Sequence, residues 1–247
     1  MRRRSIPDRS GRPAVLLFLN SRSLLVNGYE VPPVKRFLNA MVFPYRALFM
    51  HHGFGGFITS MEEDRMIRVA RYCKGRVLDV GCGPYNKFIK NVYPDGIGVD
   101  FHPYKGVEIV LDDPTHLPYD SESFDTVTLN AVGGHIPKQL REVEFKELAR
   151  LLRTGGRLIM TEGEPITQYL HHKWVFMLGK VFGAECDVDT ERGMKDGEEY
   201  CMPQKEIRRL FRISGLNHIV TERFQWHLNN VFVAEKLGSP GETAVGA

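Results

Sequence analysis

Cysteine is scarce and unpaired in this 247-residue chain: Cys73, Cys82, Cys186 and Cys201 form no CxxC pair. That spacing excludes a zinc ribbon and a secreted disulfide framework, and it fits a reducing cytoplasm. Long apolar runs are missing too. The longest near the N-terminus, Pro13 to Leu19, is far short of the ~20 residues a membrane-spanning helix needs, so none is expected. The opening MRRRS and the short apolar run after it have the outline of a signal peptide, but no small-x-small cleavage site follows and export is not expected. Internal repeats are absent, and low complexity is confined to residues 237–247, read as a flexible tail. With 43% hydrophobic and 26% charged residues, the chain can bury a core without disulfides or a structural metal.

A net charge of +3 is too small to mark the whole chain as a nucleic-acid binder, but the charge is uneven. Residues 1–60 carry nine Lys or Arg against Asp8 and Glu30. Between Val34 and Phe49 the apolar positions follow the 3, 4 spacing of one helical face, with Pro44 expected to kink or split the helix. Residues 1–59 therefore read as a basic, amphipathic extension. Its first reading is packing on the domain or covering the active site. The second is a peripheral membrane contact, with Lys35, Arg36 and Arg46 near lipid phosphates.

From Ser60 the pattern sharpens. Ser60 and Glu63 have capping-box spacing, which starts a helix at Met61 expected to reach about Cys73. Seven short apolar runs follow, at 76–81, 96–100, 107–111, 124–130, 156–162, 218–224 and 230–236, with helical stretches at 138–153 and 203–214. Strands alternating with helices predict an α/β fold: a Rossmann-like, mostly parallel seven-stranded sheet with helices on both faces. Only QWHLNN joins the last two strands, too short for a parallel crossover, so they should form an antiparallel hairpin.

The segment VLDVGCGPYNKF (Val77 to Phe88) reads as a strand, a glycine turn and a helix, where Gly81 and Gly83 would let backbone N–H groups approach a ligand. The dinucleotide pattern GxGxxG fails because its last position is Asn86. Asp100 falls 19 residues after Gly81, the spacing at which an acidic residue on the second strand bonds ribose hydroxyls. The ligand expected is a nucleoside.

With these motifs in this order, residues 60–236 resemble the class I S-adenosylmethionine-dependent methyltransferases, particularly small-molecule enzymes with an LDVGCG motif. The resemblance extends through LDDPTHLPYDSESFDTV (Leu111 to Val127), LNAVGGHI (Leu129 to Ile136) and FKELARLLRTGGRLIMTE (Phe145 to Glu162). It implies S-adenosyl-L-methionine as cofactor and S-adenosyl-L-homocysteine as product. Asp79, Gly81 and Gly83 would meet the methionine half, Asp100 the ribose and Asp113 the adenine, while Asn130 and Ala131 would line the methyl-donor side. Two departures stand out. Tyr85 sits where members often have a third glycine and would itself touch the cofactor, and the six residues FHPYKG leave room only for a turn before the third strand.

A substrate cap is expected at about 163–202, its charged stretch Cys186 to Tyr200 read as a solvated lid. The run ERGMKDGE (Glu191 to Glu198) is similar to a region of methyltransferases of polysaccharide and glycan biosynthesis, which implies a sugar-containing or glycan-precursor acceptor methylated on oxygen. Adjacent His171 and His172 point about 100° apart on a helix, so no metal site is expected, and Cys82 reads as a small packed residue. His135, just past the fourth strand, is the candidate base because histidine changes charge near neutrality. The competing role is packing against the cofactor loop, with His171, His172, Glu162 and Glu164 in reserve. Two further functions compete with methyl transfer: a nicotinamide-dependent oxidoreductase or epimerase, disfavoured by the missing glycine, and a non-catalytic nucleoside-binding module.

Overall fold

The computed structural model of the protein describes residues 33–41, 59–182 and 197–238. Helix α1 (Pro33–Met41) precedes the domain, which runs α2 (Met61–Ala70), β1 (Val77–Val80), α3 (Lys87–Asn91), β2 (Ile97–Asp100), β3 (Ile109–Val110), β4 (Phe124–Asn130), α4 (Arg141–Leu151), β5 (Leu152–Gly163), α5 (Pro165–Phe182), α6 (Gln204–Ile213), β6 (Leu216–Phe224) and β7 (Asn229–Lys236). Local chemistry sets several boundaries. Ser60 Oγ accepts the Glu63 N–H (3.0 Å) and Glu63 returns a bond to the Ser60 N–H (2.9 Å), the expected capping box. α2 stops at Ala70, three residues before the expected end, because Tyr72 and Cys73 N–H tighten onto the carbonyls of Val69 and Ala70. β5 begins at Leu152 rather than Gly156, with a register shift opposite Phe124 and Gly155 at φ +74°. Between β2 and β3 there is no helix, only a turn.

The seven strands lie in the order β3-β2-β1-β4-β5-β7-β6, parallel except for β7, which is antiparallel to both neighbours. The parallel strands read as apolar runs because both faces are covered. On one face Leu78, Leu129, Leu158 and Phe232 pack with Phe145 and Leu148 of α4 and Leu210 and Phe211 of α6. On the other, Val77, Ile159, Val231 and Val233 meet Met66 and Val69 of α2 and Phe88 of α3. Each such side chain contributes roughly 1.5–3 kcal/mol by leaving water. Chain direction across the sheet reverses between β1 and β4. That switch point opens a crevice at the carboxyl ends of these strands, the usual ligand position in open α/β sheets.

α1 corrects one expectation. Its apolar row, Val34, Phe37, Leu38 and Met41, stands exposed instead of packing on the domain, and buried Asn39 faces inward, donating from Nδ2 to Thr59 Oγ1 (2.8 Å). This polar pair fixes the rotation of the helix and leaves the apolar row outside. Pro44, residues 1–32, most of the charged stretch after Cys186 and the tail beyond Gly238 lie outside the described residues. Among the described residues, no helix is long and apolar enough to cross a membrane.

Candidate active site

The crevice is floored by the turn after β1. Gly81 (φ +72°) and Cys82 both donate their N–H to Val99 O of β2 (2.9 and 3.0 Å). A Cβ on Gly81 would lie 2.6 Å from Val132 Cγ2, so the turns after β1 and β4 are pressed together. A Cβ on Gly83 (φ +65°) would instead meet nothing within 4 Å among the described residues, which leave open space over the loop. Tyr85 adopts the left-handed backbone, at φ 66°, and its N–H donates to Lys105 O (2.6 Å). Its ring is half exposed and faces Lys105 Nζ at 5.7 Å from the centroid.

Two carboxylates come from the ends of β1 and β2. Asp79 is buried, and its Oδ1 accepts from Thr128 Oγ1 (2.5 Å) and Asn130 Nδ2 (2.9 Å) of β4. Its Oδ2 and Asn130 Oδ1 are sealed from solvent without a hydrogen-bond partner among the described residues. Burial pushes the Asp79 carboxyl up to about 7, against the pull of its bonds to Thr128 and Asn130. Two orphaned acceptors at one strand edge call for a donor-rich, cationic group. Buried Asp100 accepts Gly83 N–H at Oδ2 and His102 N–H at Oδ1, both at 2.9 Å, which leaves each oxygen a lone pair toward the open loop.

The remaining predicted residues fall around these. Leu111 N–H donates to Asp100 O (2.8 Å), tying the loop after β3 to β2, and two residues on stands Asp113. Asp113 is exposed. Its Oδ1 accepts the Thr115 N–H (2.8 Å) and hydroxyl (2.6 Å), and these bonds hold its carboxyl below the usual range. Ala131 (φ 58°) donates its N–H to Thr161 Oγ1 (2.9 Å), which anchors the turn after β4 on β5. Cys82 is inert as a nucleophile, its thiol pushed up to about 12 by burial.

His135 ends the short 3₁₀ turn Gly133–His135. Its Nδ1 lies 3.2 Å from Glu198 Oε2, and the Glu198 side chain is fully covered. Around this pair, Glu199 N–H donates to Gly134 O (2.9 Å) and Lys138 N–H to Gly197 O (3.1 Å), while the Glu199 carboxylate is gripped by Arg141 (3.0 Å) and Lys138 (2.6 Å). The end of the charged stretch, expected to be a solvated lid, is therefore docked, because basic side chains at the start of α4 await its acids. Glu198 escaped the sequence reading because it was counted in that charge run; its one signal was an adjacent Glu-Glu pair closing a predicted cap. Glu164 is structural, its Oε2 accepting the N–H groups of Ile166 and Thr167 at the start of α5. His171 and His172 lie on α5, with side chains outside the description.

A switch-point crevice with a glycine turn, a carboxylate closing β2 and a histidine on the turn after β4 is the ligand-binding edge of a Rossmann-like α/β fold. Residues 78–160 match a family model described as a methyltransferase domain. The chain is 29% identical over 175 residues to the demethylmenaquinone methyltransferase of Staphylococcus saprophyticus, covering 60% of this chain and 73% of that protein. It is 32% identical over 105 residues to the fatty-acid O-methyltransferase of Mycolicibacterium smegmatis, covering 36% and 38%. A crystal structure from Pyrococcus horikoshii shares the fold, with TM-score 0.53 and 16% identity over 85% of this chain and all of that one. The protein is a class I S-adenosylmethionine-dependent methyltransferase of the small-molecule type. The residues present fit that cofactor: the orphaned oxygens of Asp79 and Asn130 suit its ammonium, the open space over Gly83 admits it, and Asp100 keeps lone pairs for ribose.

Proposed function

We propose that the enzyme methylates a hydroxyl oxygen of a small-molecule acceptor, with His135 as general base. The observation that carries this reading is the His135–Glu198 pair beside the β4 turn. A carboxylate accepts, so Glu198 orients the ring with its proton on Nδ1 and leaves the Nε2 lone pair to take a proton from an alcohol. When bound, S-adenosylmethionine supplies an electrophilic methyl group. Asp79, Asn130 and Asp100 hold the two ends of that cofactor, and the turn 131–135 positions the acceptor oxygen. Glu199, Lys138 and Arg141 keep the cap end against the turn.

A sugar-containing or glycan-precursor acceptor would offer such hydroxyls. The cap helix α5 adds a second preference: Ile166, Tyr169, Leu170, Trp174 and Met177 make an exposed apolar row beginning at the β5 exit. The two relatives above are named for demethylmenaquinone and a fatty acid. Together these support a hydroxylated head joined to an apolar portion, met at a membrane surface by the rows on α1 and α5. The test is chemical. Protein incubated with labelled S-adenosylmethionine and fractionated small-molecule extracts should yield a methyl product stable to mild alkali, as an ether is. An alkali-labile methyl ester would replace the alcohol acceptor with a carboxylate.

A further inference from the structure

Under the turn that carries His135 lies a polar cluster that neither the cofactor contacts nor the proposed base uses. Glu162 closes β5 and is 4% exposed; Asn230, its register partner on β7, is 1% exposed. Glu162 Oε1 accepts the Gly163 N–H (3.1 Å), and the Gly134 and Met202 N–H groups also face its carboxylate. Asn230 Nδ2 and Oδ1 have no hydrogen-bond partner among the described residues. Arg65 of α2 sends its Nε into the same region, sealed and unbonded, near enough that the Glu62, Glu162 and Asp64 carboxylates act on its charge. The cluster is roofed by Gly133, where a Cβ would sit 2.4 Å from Glu162 Oε2. On one side stands Cys201, whose Sγ would lie 2.5 Å from a Cβ on Gly163.

Burying several polar atoms without partners costs far more than an apolar filling would, so their concentration at the carboxyl edge of the sheet points to a ligand that completes them. The unmet valences are two donors, Asn230 Nδ2 and Arg65 Nε, and one acceptor, Asn230 Oδ1. Arg65 already has the Glu62, Glu162 and Asp64 carboxylates acting on its charge, so a neutral group is the better fit. A hydroxyl donates once and accepts through its oxygen, which matches both kinds of vacancy.

We propose that Arg65, Glu162 and Asn230 form an anchoring subsite for a neutral hydroxyl of the methyl acceptor. The inference rests on the methyltransferase reading of the crevice and adds an acceptor requirement to it. Discrimination should be strong, because an acceptor lacking the hydroxyl leaves the buried groups unpaired. The burial that pushes the Glu162 carboxyl up to about 7 would penalise a second anion placed beside it.

The test uses the full chain saturated with S-adenosylhomocysteine and three probes of one size: phenol, toluene and benzoate, compared by saturation-transfer NMR. Phenol should bind about tenfold more tightly than toluene or benzoate, a ratio worth about 1.4 kcal/mol. Asn230→Leu, which fills the same space without polar atoms, should bring the phenol-to-toluene ratio near one while S-adenosylhomocysteine still binds; Glu162→Gln, which keeps shape and a polar partner, should preserve most of it. Equal binding of phenol and toluene to the wild-type chain, preference for benzoate, or a ratio untouched by Asn230→Leu overturns the subsite. Failure of S-adenosylhomocysteine itself to bind the wild-type chain counts against the underlying methyltransferase reading instead.

Discussion

His135 and Glu198 are 63 positions apart in sequence and 3.2 Å apart in the fold, with the imidazole partly open and the carboxylate side chain wholly covered. If this pair removes the acceptor proton, His135→Ala should lower turnover by roughly 100-fold or more without weakening S-adenosylhomocysteine. Glu198→Gln acts only through the ring, so about a tenfold loss in kcat with little change in KM is expected. Steady-state kinetics beside calorimetry separates the two roles. Wild-type turnover in the His135 variant would leave positioning as the source of the rate.

Asp100 and Asp113 should differ in weight. Asp100 is buried and already fixes Gly83 and His102 through backbone N–H groups. If Asp100 also meets the ribose, Asp100→Ala removes that contact together with the brace of the loop, so S-adenosylhomocysteine affinity should fall by about 1–3 kcal/mol. Asp113 is exposed and occupied by Thr115, so Asp113→Ala should cause the smaller loss. Calorimetric titration of the two variants checks the order, and a reversal would move the ribose away from β2.

Buried carboxyls give the protein an uncommon pH response. Asp79 and Glu162 are raised to about 7 and Glu144 to about 8, all by desolvation. A raised carboxyl contributes stability that is fully present below its unfolded pKa near 4 and lost as pH climbs through the folded value. Each therefore costs about 1.4 kcal/mol per pH unit inside its window. The lowered carboxyls Asp125, Glu147, Glu199 and Glu206 act in the acid range instead, and His218, lowered by burial, opposes the trend near pH 6. Urea midpoints of the ligand-free protein should decline from pH 5 to 8. If the cofactor's ammonium sits on Asp79 it favours the ionised carboxyl, so binding should release a proton and tighten as pH rises through 7. Calorimetric enthalpies that do not vary between phosphate and Tris buffers would remove Asp79 from the ammonium site.

The scaffold was legible in the sequence because doubly covered parallel strands appear as apolar runs bounded by glycine and aspartate. All seven runs became strands, and the last two form the expected antiparallel hairpin, with a turn of only four residues (225–228) because Asn229 and Asn230 of the QWHLNN link join β7. Asp79 and Asp100 were legible for the same reason, since strand ends fix where the next side chain points. Glu198, Arg65 and Asn230 were not. Their partners arrive from other elements, and nothing local marks an acid in a charge run as the one that becomes covered. The row on α1 misled because periodicity reports an apolar face without saying what it faces.

Gly81 should tolerate no side chain. Gly81→Ala forces a Cβ to 2.6 Å from Val132 Cγ2 at φ +72°, two independent faults. The loss should be about 2–4 kcal/mol, with S-adenosylhomocysteine binding impaired as the turn shifts. Adding Val132→Ala relieves the contact but not the backbone, so thermal unfolding should recover only in part. Full recovery would show that the positive φ carries no strain.

Tyr85 tests whether the departure from glycine serves the cofactor. Its φ of 66° costs roughly 1–2 kcal/mol in a non-glycine residue. Tyr85→Gly removes that strain but gives up the half-exposed ring over Lys105 and adds about 0.5–1 kcal/mol of unfolded-chain entropy. These nearly cancel, so stability should stay within about 1 kcal/mol of wild type. Tyr85→Ala keeps the strained backbone and loses the ring, so it should be the less stable of the two. If the ring borders the cofactor over the open face of Gly83, both variants should weaken S-adenosylhomocysteine about fivefold, close to 1 kcal/mol, whatever their stability. Equal affinity in wild type and Tyr85→Gly would reduce Tyr85 to a brace for the 104–106 turn, whose Gly106 leaves no room for a Cβ beside Tyr85 Cα (2.8 Å).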